Sequence, residues 1–209
     1  MTINSMRTRS ACLPAVLLAA AVVAAGCSSV GRPDSPALYD LGPLRTQTAT
    51  PALPALPAIS VAEIGVPNWL DRPTMFYRLN YANEQQPRPY AQARWTMPPA
   101  QLLQQHLKAR IAQAGGAVLS TSDGAMNVPV LRIEADDFTQ SFSAPGQSTG
   151  QVGLRASVFK GRTLVAQRTF NREATAPSPD ANGGARALAG ASDAAIVDMI
   201  RWLGSLDLK

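Results

Sequence analysis

The sequence predicts one α+β domain in which a mainly antiparallel sheet carries two amphipathic helices on one face. Two observations predict this fold class. Segments with alternating apolar residues stand on both sides of a central helical segment, and a second helical segment closes the chain. The length agrees, because 209 residues with 46% hydrophobic and 16% charged side chains suffice for one domain of roughly 150 residues plus extensions.

The first half of the domain is predicted to contain four strands and the first helix. The strands are expected at ALYDLGP (37–43), AISVAEIGV (58–66), TMFYRLNY (74–81) and YAQARW (90–95). The last two are expected to pair with each other across a turn. The helix follows TMPP, with Thr96 as its cap, and is predicted to end near Ala114, before two glycines.

The second half is predicted to be rich in strands. In VPVLRIEADDFTQSFS (128–143) the apolar face changes at Asp136-Asp137, which indicates a β-bulge. QVGLRASVF (151–159) and RTLVAQRTF (162–170) are expected to form a hairpin. The closing helix is predicted to run from about Ala185 to Leu206.

Residues 1–26 have the features of a signal peptide. Arg7 and Arg9 give a positive start, and the apolar stretch 11–25 would span only about 22 Å as a helix, short of the ~30 Å hydrocarbon core. The following Ala-Ala-Gly-Cys, which ends at Cys27, resembles a bacterial lipobox. We therefore expect Cys27 to be the lipid attachment site, carrying a diacylglycerol and a further acyl chain such as palmitate on its amino group. The alternative is a plain secreted protein with an incidental cysteine.

The predicted anchor defines the organisation and the compartment of the chain. Residues 27–37 are expected to form a lipidated N-terminus and tether, and 38–209 the domain, with a Pro/Ala-rich, extended and solvated loop at 46–57. Ser28, directly after the cysteine, resembles the signal for export to an outer membrane. The net charge of +5 is scattered along the chain, and an exported protein does not meet nucleic acid, so we expect no nucleic-acid partner.

The sequence offers little that points to catalysis. His106 is the single histidine, and it lies beside the apolar stripe of the first helix, where a histidine at the rim of the core is favoured over a metal ligand. Asp136 and Asp137 are neighbours on a strand, so their side chains should point in opposite directions rather than act as an acid/base pair. We therefore expect no enzymatic activity, no metal and no cofactor.

Four motifs resemble the ABC-type transport auxiliary lipoprotein family. They are YDLGP (39–43), VPNWLDRPTMFYR (66–78), ARWTMPPAQLLQQHL (93–107) and DMIRWLGSL (198–206). The resemblance implies an outer-membrane-anchored, periplasm-facing accessory subunit of an ABC transporter that moves lipids between membranes. Its implied partners are an MCE-domain substrate-binding protein and the ABC permease and ATPase. Whether the chain also forms a homo-oligomer is left open.

Four side chains in these motifs are candidates for docking to a partner. They are Trp69, Arg72, Arg94 and Trp95, because tryptophan and arginine are enriched in interface hot spots. Trp69 could equally be a core residue, and for Trp95 a position in the core is favoured. A different class of function is a lipoprotein that binds a soluble ligand or cell-wall polymer, which a concave cleft around Trp69, Tyr77 and Tyr81 would favour.

Overall fold

The described part of the chain folds into eight strands and three α-helices. A computed structural model describes residues 35–44 and 52–208. The strands are β1 (Ala37–Tyr39), β2 (Ile59–Val61), β3 (Thr74–Leu79), β4 (Glu84–Trp95), β5 (Val118–Ser120), β6 (Val130–Ala144), β7 (Gln147–Lys160) and β8 (Thr163–Thr175). The helices are α1 (Asn80–Asn83), α2 (Pro99–Gln113) and α3 (Ala181–Gly204), and a 3-10 turn (Thr121–Asp123) follows β5. The predicted signal peptide 1–26 and the predicted lipid attachment site Cys27 lie outside the described residues.

Strand β6 organises the sheet because it pairs along both of its edges. One edge pairs with β7 in antiparallel fashion, and β7 pairs with β8 in the same way. The other edge is shared by two parallel strands, β2 at the start of β6 and β3 near its end. Beyond them, β5 pairs with β2, while β4 and then β1 follow β3.

The prediction of a mainly antiparallel sheet is therefore wrong, because the sheet is mixed. Within residues 35–44 and 52–208, the parallel pairs are β1 with β4, β2 with β5, and both β2 and β3 with β6. Alternation of apolar residues identifies strands but carries no information on their relative direction. Segments far apart in the chain can pair in either direction, and only the short hairpin connections require an antiparallel pair.

Several local predictions are confirmed. The register of the β6–β7 pair shifts between Ala135 and Asp137, where the bulge was expected. Helix α2 ends at Gln113, one residue before the expected end. The start of α2 differs from the prediction. The N-cap position is Pro98 and no side chain caps the helix, so Thr96 is not its cap.

Two other local predictions need correction. Helix α3 begins at Ala181, with the Asp180 side chain accepting a hydrogen bond from the Gly183 amide, so the helix starts about one turn earlier than predicted. The Pro/Ala-rich segment also differs in its described part, 52–57. That part has no regular structure, but Leu56 is only 5% exposed and belongs to the core, so the segment is not fully solvated.

The core lies between the sheet and the two long helices. Helix α3 packs against β6, β7 and β8, and α2 packs against α3. The predicted stripe of Leu103, Leu107 and Ile111 on α2 is almost completely buried. The described residues from Pro36 onward form one compact unit.

Candidate functional site

The loop that contains Trp69 leaves the sheet at one edge of β6. Gly65 exchanges two backbone hydrogen bonds with β6, at Ile133 and Ala135. The chain then leaves the sheet and returns at β3, where the Trp95 amide donates to the Pro73 carbonyl at 2.9 Å. Leu70 anchors the loop from within, since it is only 1% exposed. The loop is therefore held at both ends and in the middle.

Trp69 is partly buried against the outer side of β3. Its ring meets that of Phe76 edge to face, with centroids 5.3 Å apart, and the Arg78 guanidinium lies 5.5 Å from the Trp69 ring centroid. Phe76 and Arg78 are two residues apart on β3, so they share a face. The result is an aromatic pair with a cation above it, a geometry that both stabilises the loop and presents an amphipathic surface.

The four predicted docking residues occupy different positions. Arg72 and Arg94 are exposed, and neither forms an ion pair within the described part of the chain. Trp95 is 2% exposed and packs edge to face on Phe138 at 5.3 Å, so it is a core residue and not part of a docking surface. Arg94 lies beside Trp95 on β4 and points away from the core.

We use the name Trp69 surface for Trp69, Arg72, Phe76 and Arg78. Sequence reasoning found the first two of these residues and missed the others. The alternation in TMFYRL could have shown that Phe76 and Arg78 share a face, but not that Trp69 packs on them. The surface combines aromatic area with guanidinium groups, which suits a protein partner that offers apolar area and carboxylates.

The half-buried carboxyl of Asp137 lies at the bulge of β6, near Arg78 of the Trp69 surface. Burial raises the pKa of Asp137, although a hydrogen bond from the Thr139 hydroxyl at 2.7 Å and the nearby charge of Arg78 act in the opposite direction. Thr139 itself is fully buried. The bulge therefore brings a carboxyl close enough to Arg78 for the guanidinium charge to act on it.

The aromatic cleft that would favour a ligand-binding function is not formed as expected. Tyr77 packs on Tyr90 and Phe142, with ring centroids at 4.7 and 5.9 Å, whereas Trp69 packs on Phe76. Phe76 and Tyr77 are successive residues of β3 and therefore point to opposite faces. Trp69 packs on Phe76, so its ring and that of Tyr77 lie on opposite faces of the strand. Tyr81 is half-exposed in the short helix α1.

A cleft of about 770 Å³ lies elsewhere, between the β1 segment and the two long helices. Small residues of α3 line one side, and Leu38, which is 67% exposed, stands at β1. His106, Arg110 and Asp193 also line it. Arg110 donates to both carboxylate oxygens of Asp193, at 2.6 and 2.8 Å, and His106 Nε2 lies 3.3 Å from the same carboxylate.

His106 therefore has a charged partner on the other long helix, which the sequence did not indicate. His106 is 8% and Arg110 2% exposed, and both contact a carboxylate on the other long helix. The contacts join residues more than eighty positions apart, which no local pattern signals. Among residues 35–44 and 52–208, no group of three or more histidine, cysteine, aspartate or glutamate side chains could hold a metal ion. No helix described in that range is long and apolar enough to cross a bilayer.

Comparison with known proteins places this fold in a family. The model of the family described as ABC-type transport auxiliary lipoprotein component matches residues 39–199. The chain belongs to this family, and it is therefore an envelope-associated lipoprotein. No similar protein is found among the curated proteins.

Solved structures share the fold at low sequence identity. A crystal structure of a protein from Xanthomonas campestris has a TM-score of 0.67 and 21% identity, covering 79% of this chain and 94% of that chain. A second, of an uncharacterised protein, has a TM-score of 0.62 and 16% identity, covering 81% and 99%. The PelC L103M dodecamer of Paraburkholderia phytofirmans has a TM-score of 0.44 and 14% identity, covering 75% of this chain and 94% of that chain.

Proposed function

We propose that this lipoprotein is anchored in the outer membrane, faces the periplasm and serves as a non-catalytic accessory subunit of an ABC transporter. In this role it works with an MCE-domain substrate-binding protein and the ABC permease and ATPase, and the assembly moves lipids between membranes. The observation that supports this proposal most is the family match over residues 39–199. The lipobox-like sequence at Cys27 supplies the anchor, and Ser28 favours the outer membrane.

The Trp69 surface is the proposed contact with the MCE partner. Loops held on a rigid sheet are where binding residues concentrate, and this loop is fixed at both ends and by Leu70. Arg72 is exposed and Trp69 is partly buried, so the pair can offer a charge and an aromatic edge without rearrangement of the domain. Arg94, exposed on neighbouring β4, can extend the contact.

Substitution of Trp69 and Arg72 by alanine tests this contact. We expect co-purification with the MCE partner to weaken at least tenfold, which corresponds to ~1.4 kcal/mol of binding free energy. Trp69→Ala also removes the contacts with Phe76 and Arg78, so a moderate fall in the melting temperature is expected of the double variant. Arg72→Ala alone should weaken binding without changing the melting temperature, because Arg72 forms no ion pair within the described residues.

Arg162→Ala is the matched control, since Arg162 is an exposed arginine in the turn between β7 and β8. It should leave co-purification unchanged. Unchanged binding of the folded double variant would contradict docking through the Trp69 surface. A large loss of thermal stability in Arg72→Ala would show that the loop serves the domain's own packing.

The 770 Å³ cleft supports a second candidate function, the binding of a soluble ligand or a fragment of cell-wall polymer. Its volume lies within the range of small-molecule sites, and it combines apolar walls with a charged base. Mass spectrometry of the protein purified from its native envelope distinguishes the two functions. A stoichiometric small molecule released on denaturation would favour ligand binding, whereas co-purified transporter subunits would favour the accessory role.

A further inference from the structure

The face of β8 that packs against α3 carries a pocket whose charges are unbalanced. The pocket has a volume of about 340 Å³ and lies between β8 and the last two turns of α3. Its charged side chains are Arg168 and Arg172 from the strand and Asp198 and Arg201 from the helix. Three guanidinium groups thus face one carboxylate.

The periodicity of both elements explains this convergence. Arg168, Phe170 and Arg172 alternate along β8 and therefore point to the same side, towards α3. On α3, Asp198, Arg201 and Trp202 are three and four residues apart and therefore lie on one helix face. The rings of Phe170 and Trp202 meet edge to face at 5.6 Å and form the floor of the pocket.

The hydrogen bonds in the pocket leave donors free. Arg172 donates through Nε and Nη2 to Asp198 and through Nη1 to the Asn171 carbonyl, so most of its donors are used. Arg201 reaches Asp198 only at 3.4 Å. The Arg168 guanidinium lies 5.5 Å from the Phe170 ring centroid, and within the described residues it has no carboxylate partner.

A purely structural role accounts for only part of this arrangement. The Arg172–Asp198 pair links the outermost strand to α3, and Arg201 in the last helical turn offsets the partial negative charge of the helix end. Neither role requires Arg168. After Asp198 is counted, the charge of two guanidinium groups is left without a counter-ion at the pocket.

We infer that this pocket binds a phosphate group, with Arg168 and Arg201 as its principal donors and Arg172 held in place by Asp198. Guanidinium groups match the oxygens of phosphate in geometry, and a phosphate monoester carries about −1.5 to −2 charges, which balances the excess. A single carboxylate carries one negative charge and would leave about half of the excess positive charge of the pocket uncompensated. The inference shares no residue with the Trp69 surface, so either proposal can fail without the other.

Isothermal titration calorimetry of the full-length protein in a nonionic detergent, at constant ionic strength, tests the inference. The probes are inorganic phosphate, glycerol 3-phosphate and the short-chain lipid dihexanoyl phosphatidic acid. We expect saturable binding of a phosphate compound and about a tenfold higher Kd for Arg168→Gln. The Arg168→Lys variant should retain part of the affinity, because it keeps the charge but loses the forked geometry.

Arg162→Gln is the matched control, because it removes an exposed arginine of the same hairpin outside the pocket. It should leave the Kd unchanged. Tighter binding of phosphatidic acid than of glycerol 3-phosphate would identify a lipid headgroup as the source of the phosphate, and equal binding a soluble compound. An absence of saturable binding by all three probes, or an equal Kd for Arg168→Gln and Arg162→Gln, would overturn the inference.

Discussion

Asp193 on α3 is the residue through which the two long helices form an ion pair. Burial alone would raise the pKa of its carboxyl, but hydrogen bonds from His106 and Arg110 and the charge of Arg110 outweigh burial and hold the pKa below the ordinary 3.8. A carboxyl whose pKa is lowered by folding stabilises the fold above its unfolded pKa. That contribution is lost as the pH falls through the lower pKa of the folded state.

Arg110→Ala should therefore be strongly destabilising at neutral pH. Arg110 is only 2% exposed, and its removal leaves the half-buried Asp193 with the His106 contact alone, so we expect a loss of about 2 kcal/mol in the free energy of unfolding. Denaturant titrations at pH 7 and at about pH 3 should show a smaller difference from wild type at the acidic pH, where Asp193 becomes protonated. An equal loss at both pH values would mean that Arg110 acts through packing alone.

His106→Ala is the milder change at the same site, and it tests the proposed absence of catalysis. It removes one contact to Asp193 while the two hydrogen bonds from Arg110 remain, so about 1 kcal/mol of stability should be lost. The transport phenotype should persist in cells. Complete loss of transport by a well-folded His106→Ala protein would contradict a non-catalytic role.

At the scale of elements, β7 and α3 approach so closely that one position requires glycine. A Cβ atom on Gly150 would lie 2.5 Å from the Leu188 amide nitrogen and 2.7 Å from the Ala187 carbonyl carbon, both in the helix backbone. Backbone of a buried helix cannot move aside as a flexible side chain can. We expect Gly150→Ala to lower the free energy of unfolding by about 3 kcal/mol, measured in urea.

Gly153 is the matched control for this prediction, since it lies on the same strand. A Cβ atom added to Gly153 would lie 3.3 Å from the Asn171 side-chain oxygen and 3.6 Å from atoms of Asp137. Gly153→Ala should therefore have a small effect. If the two substitutions cost the same, the close approach of β7 and α3 does not decide the outcome.

Helices and strands were predictable from the sequence where they depend on a local pattern of residues. The alternation in QVGLRASVF and the change of face at Asp136-Asp137 identified β7 and the bulge, because both follow from the two-residue period of a strand. The start of α3 was misread, since Gly183 and Gly184 are typical of loops. In the fold, a Cβ on Gly183 would overlap the Ser178 carbonyl oxygen, so packing selects glycine at this position within a helix.

The sites depend on contacts between distant segments and were therefore only partly predictable. Trp69 and Arg72 were identifiable because tryptophan and arginine are enriched in interface hot spots, and because both lie between two predicted strands. Burial of Trp95 and the contact of His106 with Asp193 depend on which elements meet across the core. The phosphate pocket likewise combines β8 with α3, so neither segment alone indicates it.

At the scale of the whole molecule, the fold and the predicted anchor have complementary roles. The compact domain begins at Pro36, nine residues after Cys27, and a segment of that length reaches about 30 Å when extended. Such a tether would keep the Trp69 surface and the phosphate pocket near a membrane surface. A raised local concentration of membrane-bound partners would then favour both of the proposed binding events.

Cys27→Ala should abolish labelling of the protein by radioactive fatty acid and release it to the soluble periplasmic fraction. The reason is chemical, since the thiol is the acceptor of the diacylglycerol, and several acyl chains are needed for a lasting anchor at ~0.8 kcal/mol per buried CH₂ group. Cys12→Ala is the matched control, because Cys12 lies in the apolar stretch of the signal peptide and should be removed with it. That variant should still be labelled and should fractionate with outer membranes. Flotation of the Cys27→Ala protein with outer membranes would mean that the domain is held there by protein contacts or by its own surface, and the anchor at Cys27 would be wrong.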